Sequence, residues 1–318
     1  MRIFLRRLIL ISSILFLLLI ILIVAANQII NKKASFRIKN TDTVVVFGHS
    51  HAEFAYNDSL ITNIKNLASS GEAYFYTFFK AKKVLAENPQ IKIVLIEFSN
   101  NQITKRMDAW TWGDDFMSIK YPIYSPFLSL EEHKFLFLQN FKGYISSSSI
   151  ALKKQLFNIL TKEYDYTKII GGYLYNKVNR VDSLIAVQKR TRLDPDAYTA
   201  VSDENIKHLR EIIDLCHQYN KQVYLIRTPT HKAFPATRNE EIFQDVRHKY
   251  FDSIPFLDFA KFPIKDADFA DLEHLNYYGA SKYSRWFDAL LNDGLFSQAN
   301  AQDFINERIQ ACKSNSNQ

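Results

Sequence analysis

Cysteine is scarce in this sequence, which has only two, Cys216 and Cys312, in 318 residues. Two cysteines cannot build the disulfide framework that stabilises many small secreted domains. The chain also has no Cys-x-x-Cys pair and no Cys/His spacing typical of a zinc site. We therefore expect two unpaired thiols in a domain that is stabilised by its hydrophobic core.

A basic surface is also missing, although the formal net charge is +7. Five of these positive charges lie in the first 33 residues, at Arg2, Arg6, Arg7, Lys32 and Lys33, where there is no acidic residue. The rest of the chain is nearly neutral and has no basic stripe with interleaved aromatics. The charge pattern therefore predicts no nucleic-acid partner.

Charged residues are absent from Leu8–Ala26, which is 19 residues long. A helix needs about 20 apolar residues to cross a bilayer, so residues 1–33 are predicted to be a single-pass anchor with basic flanks. The flanking arginines favour a cytoplasmic N-terminus at the bacterial inner membrane, with residues 34–318 in the periplasm or outside the cell. A cleaved signal peptide ending at Ala26 is the alternative.

Apolar and amphipathic runs alternate over much of the remaining chain and predict an α/β fold. The predicted strands are Thr43–Phe47, Asn66–Ala68, Ile91–Phe98, "QVYLIRTP" and "IPFLDF". The predicted helices are "EAYFYTFFKAKKVLAENP", "SDENIKHLREIIDLCHQYNK" with Ser202 as N-cap, and "NYYGASKYSRWFDALL". We expect a flavodoxin-like three-layer sandwich with a mainly parallel sheet covered on both faces.

The region from about 102 to 200 lacks this alternation and is predicted to be a largely helical insertion. Its aromatic residues have two possible roles. Trp110, Trp112, Tyr121 and Tyr124 either form the core of the insertion or stack on sugar rings.

Polar residues that suit serine catalysis follow the predicted strands, where the sites of open α/β sheets gather. Ser50 can act as the nucleophile, His274 as the base, and Asp271 as the carboxylate that orients His274. The amides of Ser50 and Gly71, with the Asn100 carboxamide, can form an oxyanion hole.

These residues resemble the SGNH (GDSL-like) hydrolase superfamily in order and spacing. The matching motifs are Ser50 in "FGHSH", Gly71 in "NLASSGEAYF", Asn100 in "IEFSNNQ", and Asp271 and His274 in "DLEHLNYYGA". The sequence departs from the family pattern at three positions. His49 replaces an aspartate, Phe98 replaces a glycine, and Asn101 replaces an acid, which makes Asn101 the backup to Asn100 as oxyanion donor.

The resemblance implies a cell-envelope esterase or O-acyltransferase that uses a Ser-His-Asp acyl-enzyme mechanism and no cofactor. Its expected substrate is a cell-envelope or exported polysaccharide, and its expected partner is a multi-span membrane acyltransferase. The substrate-binding candidates are His51, Arg227 and His231. A non-catalytic SGNH-fold protein for polymer binding or assembly is the main alternative.

His49 and His51 raise a lesser alternative, a metal-dependent phosphoesterase, because histidines two residues apart on an extended strand point the same way. Such enzymes also need an early Asp-x-His motif, and only the anchor and its tether precede residue 49. We therefore predict no metal site.

Overall fold

The computed structural model describes residues 1–190 and 198–316. Five strands form one parallel sheet: β1 (Val44–Phe47), β2 (Ile64–Asn66), β3 (Ile93–Glu97), β4 (Gln222–Arg227) and β5 (Phe256–Asp258). The described residues form twelve α-helices: α1 (Arg2–Lys33), α2 (Ser50–Ala55), α3 (Tyr74–Glu87), α4 (Arg106–Trp112), α5 (Asp114–Tyr124), α6 (Leu130–Gln139), α7 (Phe141–Thr161), α8 (Val181–Arg190), α9 (Asp203–Gln218), α10 (Glu240–Phe251), α11 (Tyr277–Asn292) and α12 (Ala301–Ser316).

The strand order is β2-β1-β3-β4-β5, so the α/β prediction is confirmed, with the flavodoxin-like order. β1 and the last four residues of β3 are fully buried, as expected for central parallel strands covered on both faces. Helix α3 packs against α9, and α2 packs against α11. The chain reverses direction across the sheet between β1 and β3, and such a switch point leaves a crevice beyond the carboxyl ends of these strands.

The chain divides into two compact units. One unit contains Met1–Ser35 and Trp112–Tyr166, and the other contains Phe36–Thr111 and Thr167–Gln318. The expected insertion at 102–200 is therefore shared between the two units. The sheet and the candidate catalytic residues belong to the second unit.

The first unit is helical. Helix α5 packs against α7, and α1 packs along α7. Tyr121, Tyr124 and Leu136 are buried in it, which places the two tyrosines in its core. Helix α6 begins with a capping box in which Ser129 and Glu132 satisfy each other's backbone N–H groups.

Helix α1 is long and apolar enough to cross a membrane, and none of its most apolar 18-residue stretch is buried within the protein. The helix continues to Lys33, seven residues past the predicted end of the apolar segment at Ala26. Its buried residues are Ala26 and Ile30. This burial connects the apolar segment to the rest of its unit.

Several predicted elements differ in detail. Strand β2 lies two residues earlier than expected, because Val46 pairs with Asn66. Helix α10 was not predicted, although parallel strands β4 and β5 require a crossover connection. Ser202 caps α9 as predicted, since its side chain accepts the N–H of Asn205. Cys216 and Cys312 are both free, as predicted.

Candidate active site

The structure brings Ser50, His274 and Asp271 together. Ser50 Oγ lies 2.7 Å from His274 Nε2, and His274 Nδ1 lies 2.9 Å from Asp271 Oδ2. Ser50 is also 3.4 Å from His49 Nδ1, so the shorter contact is the one to His274. The geometry is that of a nucleophile, a base and an orienting carboxylate joined by hydrogen bonds.

Ser50 owes its position to a sharp turn after β1. Gly48 is needed there, because a Cβ atom at this residue would meet the Glu97 side chain at 2.6 Å. His49 caps α2 by accepting the N–H of His51 at Nδ1. Ser50 is then the first residue of α2, where backbone N–H groups have no partner within the helix.

The backbone and side chain of residues 273 and 274 stabilise the ionised form of Asp271. Its Oδ1 accepts the backbone N–H groups of Glu273 and His274 at 2.8 and 2.9 Å. Burial by itself would raise the pKa of Asp271, but the hydrogen bond and charge of His274, together with the backbone N–H groups of Glu273 and His274, outweigh it and lower the pKa below its usual value. The ionised carboxylate then fixes the His274 proton on Nδ1 and leaves Nε2 to accept the proton of Ser50.

Asn276 and Gly279, which follow His274 in the motif, are required by the local backbone structure. Asn276 caps α11 by accepting the N–H groups of Tyr278 and Gly279. At Gly279, a Cβ atom would meet the carbonyl oxygen of Asp268 at 2.2 Å. This part of the motif therefore packs the start of α11 against the chain that carries the candidate base.

Glu97 is a residue that the sequence interpretation missed. It is fully buried at the end of β3, and its Oε2 accepts the backbone N–H groups of His49 and Ala52, each at 3.1 Å. These two bonds tie the carboxylate to the turn and helix that present Ser50. The signal in the sequence was a single acid within the apolar run "IVLIEF".

Glu273 is the second missed residue, and it pairs with His51. The two nitrogens of His51 lie 3.3 Å from Glu97 Oε1 and 3.5 Å from Glu273 Oε2. Burial by itself would lower the pKa of His51, but the two carboxylates outweigh it and raise the pKa to about 9. His51 is therefore a buried cation between two anions, beside the candidate nucleophile.

Glu97 and His49 complete this charge arrangement. Burial by itself would raise the pKa of Glu97, but the hydrogen bond and charge of His51 and the N–H of Ala52 hold it below its usual value. Burial lowers the pKa of His49 to about 4, so His49 is neutral at physiological pH. The cluster thus contains one cation, His51, between the carboxylates of Glu97 and Glu273.

Two groups of side chains have the composition of a metal site: His49, His51 and Glu97 in one, and His51, Glu273 and His274 in the other. In the first group, His49 Nδ1 accepts a backbone N–H, so the neutral ring carries its proton on Nε2. That nitrogen faces Glu97 Oε1 at 3.5 Å, and neither atom makes a hydrogen bond to a described residue. In the second group, both nitrogens of His274 are engaged by Ser50 and Asp271. The second group therefore fits hydrogen bonds and ion pairs better than ligation of a metal ion, and a metal in the first group would need His49 to move its ring proton from Nε2.

The oxyanion candidates lie in different environments. Gly71 adopts a positive φ of 67° in a loop that Glu53 of α2 holds by accepting the N–H of Ser70. Asn100 uses its amide nitrogen on Asn239 and on Glu240, at 3.1 and 2.8 Å. Both amide protons of Asn100 are thus engaged in this arrangement.

Asn101 has a different position. Its Oδ1 accepts the Ser99 hydroxyl at 2.8 Å, and the residue lines a cavity of about 110 Å³. Glu273, Trp110 and Phe234 also line this cavity. Trp110 packs against His49, and Phe234 packs against His51, so the cavity adjoins both neighbours of Ser50.

Each of the three substrate-binding candidates has a largely buried side chain that is paired with a carboxylate. Arg227 forms ion pairs with Asp258 and Glu240 at 2.5 and 2.6 Å, so its charge is already balanced. The side chain of His231 is 2% exposed and lies 3.3 Å from Asp266. His51 is enclosed as described above. None of the three presents a free charged group at the surface of the described chain.

A model of an uncharacterised protein family matches residues 161–296, which is less than half of the chain. This segment contains β4, β5, Asp271 and His274 but not Ser50. No curated protein matches the chain.

Proposed function

We propose that this protein is a membrane-anchored, SGNH-like serine esterase or O-acyltransferase. The observation that carries the proposal is the linked set of short contacts from Ser50 Oγ to His274 Nε2 and from His274 Nδ1 to Asp271. These are the side chains and distances that acyl transfer through a serine requires.

In the proposed reaction, Ser50 Oγ attacks the ester carbonyl while His274 Nε2 takes the hydroxyl proton. Asp271 stabilises the imidazolium that forms. His274 then gives its proton to the departing alcohol, and the acyl group remains on Ser50. Water or a sugar hydroxyl next attacks the acyl-enzyme, again with His274 as base, which gives hydrolysis or transfer.

The oxyanion that forms during each attack needs N–H donors. The N–H of Ser50, at the first position of α2, and that of Gly71 are the backbone candidates. Among the side chains, Asn101 is favoured over Asn100, because Asn100 is already bonded to Asn239 and Glu240.

The apolar helix α1 supports anchoring in a membrane. With the basic residues before it, the proposed orientation puts the α/β unit in the periplasm or at the cell exterior. A cell-envelope or exported polysaccharide is the proposed substrate, and a multi-span acyltransferase is the proposed donor of the acyl group.

Turnover of a chromogenic short-chain ester by the full-length chain in detergent tests this proposal. We expect hydrolysis by the wild type, loss of hydrolysis in Ser50→Ala, and unchanged rates in Ser118→Ala, whose serine is half-buried on α5 in the other unit. Addition of an O-deacetylated polysaccharide separates the two reactions, since acylated polymer indicates transfer. Equal rates for wild type and Ser50→Ala would contradict the proposal.

A further inference from the structure

A large apolar cavity lies within the helical unit, apart from the candidate active site. Its volume is about 440 Å³, and most of its lining atoms are apolar. One wall is the face of α1 from Phe16 to Asn27. The other wall is formed by α5, α6 and α7, with Leu130, Phe137 and Ile145 among its apolar members.

The α1 wall belongs to the segment that is apolar enough to cross a membrane. Phe16 and Asn27 are eleven residues apart, or about 16 Å along a helix. One leaflet of the hydrocarbon core is about 15 Å deep. Along α1 the cavity therefore extends over a length close to the depth of a single leaflet.

Several polar residues also line the cavity. Asn27 Oδ1 is buried and has no hydrogen-bond partner among the described residues. Tyr144 and Ser148, on α7, also line the cavity. Phe16, Leu19 and Ile20, at the other end of the α1 wall, are apolar and exposed. The α1 wall is thus apolar at Phe16, Leu19 and Ile20 and polar at Asn27.

We propose that this cavity binds the acyl chain of a bilayer lipid. At about 30 Å³ for each water-sized group, its volume admits roughly 15 non-hydrogen atoms, the size of one acyl chain. The chain lies along the apolar residues of the α1 wall, and Asn27 faces the ester or headgroup region. The inference depends on the proposed membrane insertion of α1 and does not depend on the chemistry of Ser50.

Photo-crosslinking tests the proposal on the full-length chain in vesicles of phosphatidylethanolamine and phosphatidylglycerol. The probe is a phosphatidylethanolamine with a diazirine near the end of one acyl chain. Adducts mapped by mass spectrometry are expected on the cavity faces of α1 and α7. Resistance of the chain to alkaline extraction measures membrane insertion separately, so a failure of anchoring is distinguishable from a failure of lipid binding.

Matched variants complete the test. Ser149→Trp places a large ring in the cavity, whereas Ser146→Trp changes an exposed serine of the same helix that does not line it. Leu19→Trp and Leu18→Trp are a second pair, on α1, of which only Leu19 lines the cavity. We expect lipid adducts on α7 to fall at least fivefold in Ser149→Trp or Leu19→Trp and to stay unchanged in the controls.

Three results overturn the proposal. One is an equal adduct yield in each cavity variant and its control. Another is an even distribution of adducts around α1 with none on α7. The third is crosslinking of the cavity residues to a second polypeptide, which would identify a protein as the occupant.

Discussion

Ser50 Oγ and His274 Nε2 lie 2.7 Å apart although 224 positions separate them in the chain. The contact joins the start of α2, after the central strand β1, to the loop before α11. Packing of α11 against α2 maintains this arrangement. The fold thus places a hydroxyl and an imidazole in hydrogen-bonding contact at the end of a buried strand.

Asp271→Asn is expected to lower the rate of ester hydrolysis by a factor on the order of 10²–10⁴, because an amide no longer selects the tautomer of His274 that accepts the Ser50 proton. Steady-state kinetics with the chromogenic ester measures the effect. The control is Asp245→Asn on the exposed face of α10, which should keep the wild-type rate. A similar rate for both variants would remove Asp271 from the proposed mechanism.

Asn101→Ala is expected to reduce kcat by roughly 10²–10³, the usual cost of losing one oxyanion donor, with little change in KM. Asn100→Ala is expected to act mainly on stability, because it removes a partner of Arg227 and Glu240. Kinetics and thermal unfolding of both variants separate the two roles. The opposite assignment, with Asn100→Ala as the variant of low kcat, would return the donor role to Asn100.

Glu97→Gln is expected to lower the free energy of unfolding by about 3–5 kcal/mol, because it leaves the buried His51 without one of its two counter-charges. Glu211→Gln is the control, since Glu211 also pairs with a histidine, His208, but its side chain is 38% exposed. Exposed pairs contribute about 0–1 kcal/mol. Denaturant unfolding measures the free energy of unfolding of the two variants. Equal decreases would show that the buried Glu97 pair stabilises the fold no more than the exposed Glu211 pair does.

The free energy of unfolding should depend on pH because the pKa values of the buried His49 and His51 are shifted in opposite directions. The pKa of His51 is raised from 6.5 to about 9, so its stabilising contribution is complete below pH 6.5 and is lost as the pH rises through 9. This pKa difference between the unfolded and folded states corresponds to roughly 3 kcal/mol in the free energy of unfolding. The pKa of His49 is lowered to about 4, so its contribution is present above pH 6.5 and is lost as the pH falls through 4.

The free energy of unfolding of the full-length chain, measured from pH 4 to 9, is therefore expected to have its maximum near pH 6.5. His51→Gln should remove most of the decrease above that pH and leave the decrease on the acid side. A wild-type profile that is flat between pH 6.5 and 9 would contradict the assignment of a buried His51 cation.

Treatment with a strong chelator should leave both ester hydrolysis and thermal unfolding unchanged, because His49 Nδ1 accepts a backbone N–H and the neutral ring then carries its proton on the nitrogen that faces Glu97. Elemental analysis of the purified chain should find metal far below one equivalent. Near-stoichiometric zinc or manganese that disappears in His49→Gln would favour the phosphoesterase alternative.

Much of the α/β unit could be predicted from the sequence, because apolar runs such as Val44–Phe47 can bury both faces only inside a parallel sheet. The proximity of Ser50 to His274 followed from the rule that strand ends share one edge. Helix α10 was missed, although Phe243, Val246 and Phe251 form its buried face. The spacing of these three residues was the available signal.

Other features depend on contacts that the order of residues does not reveal. Arg227 was expected to be available for substrate, but its partners Asp258 and Glu240 come from later elements. Glu97 and Glu273 were missed because their roles depend on His51, which meets both only in the folded chain. The grouping of residues 112–166 with α1 likewise depends on tertiary packing.

Covalent labelling with a fluorophosphonate, followed by peptide mapping, shows whether Ser50 is a nucleophile that His274 activates. For the full-length chain in detergent, we expect a phosphonyl group on Ser50, little labelling in His274→Ala, and none in Ser50→Ala. A folded wild-type chain that turns over no ester and takes up no label at Ser50 would contradict the account and favour a non-catalytic role in polymer binding or assembly.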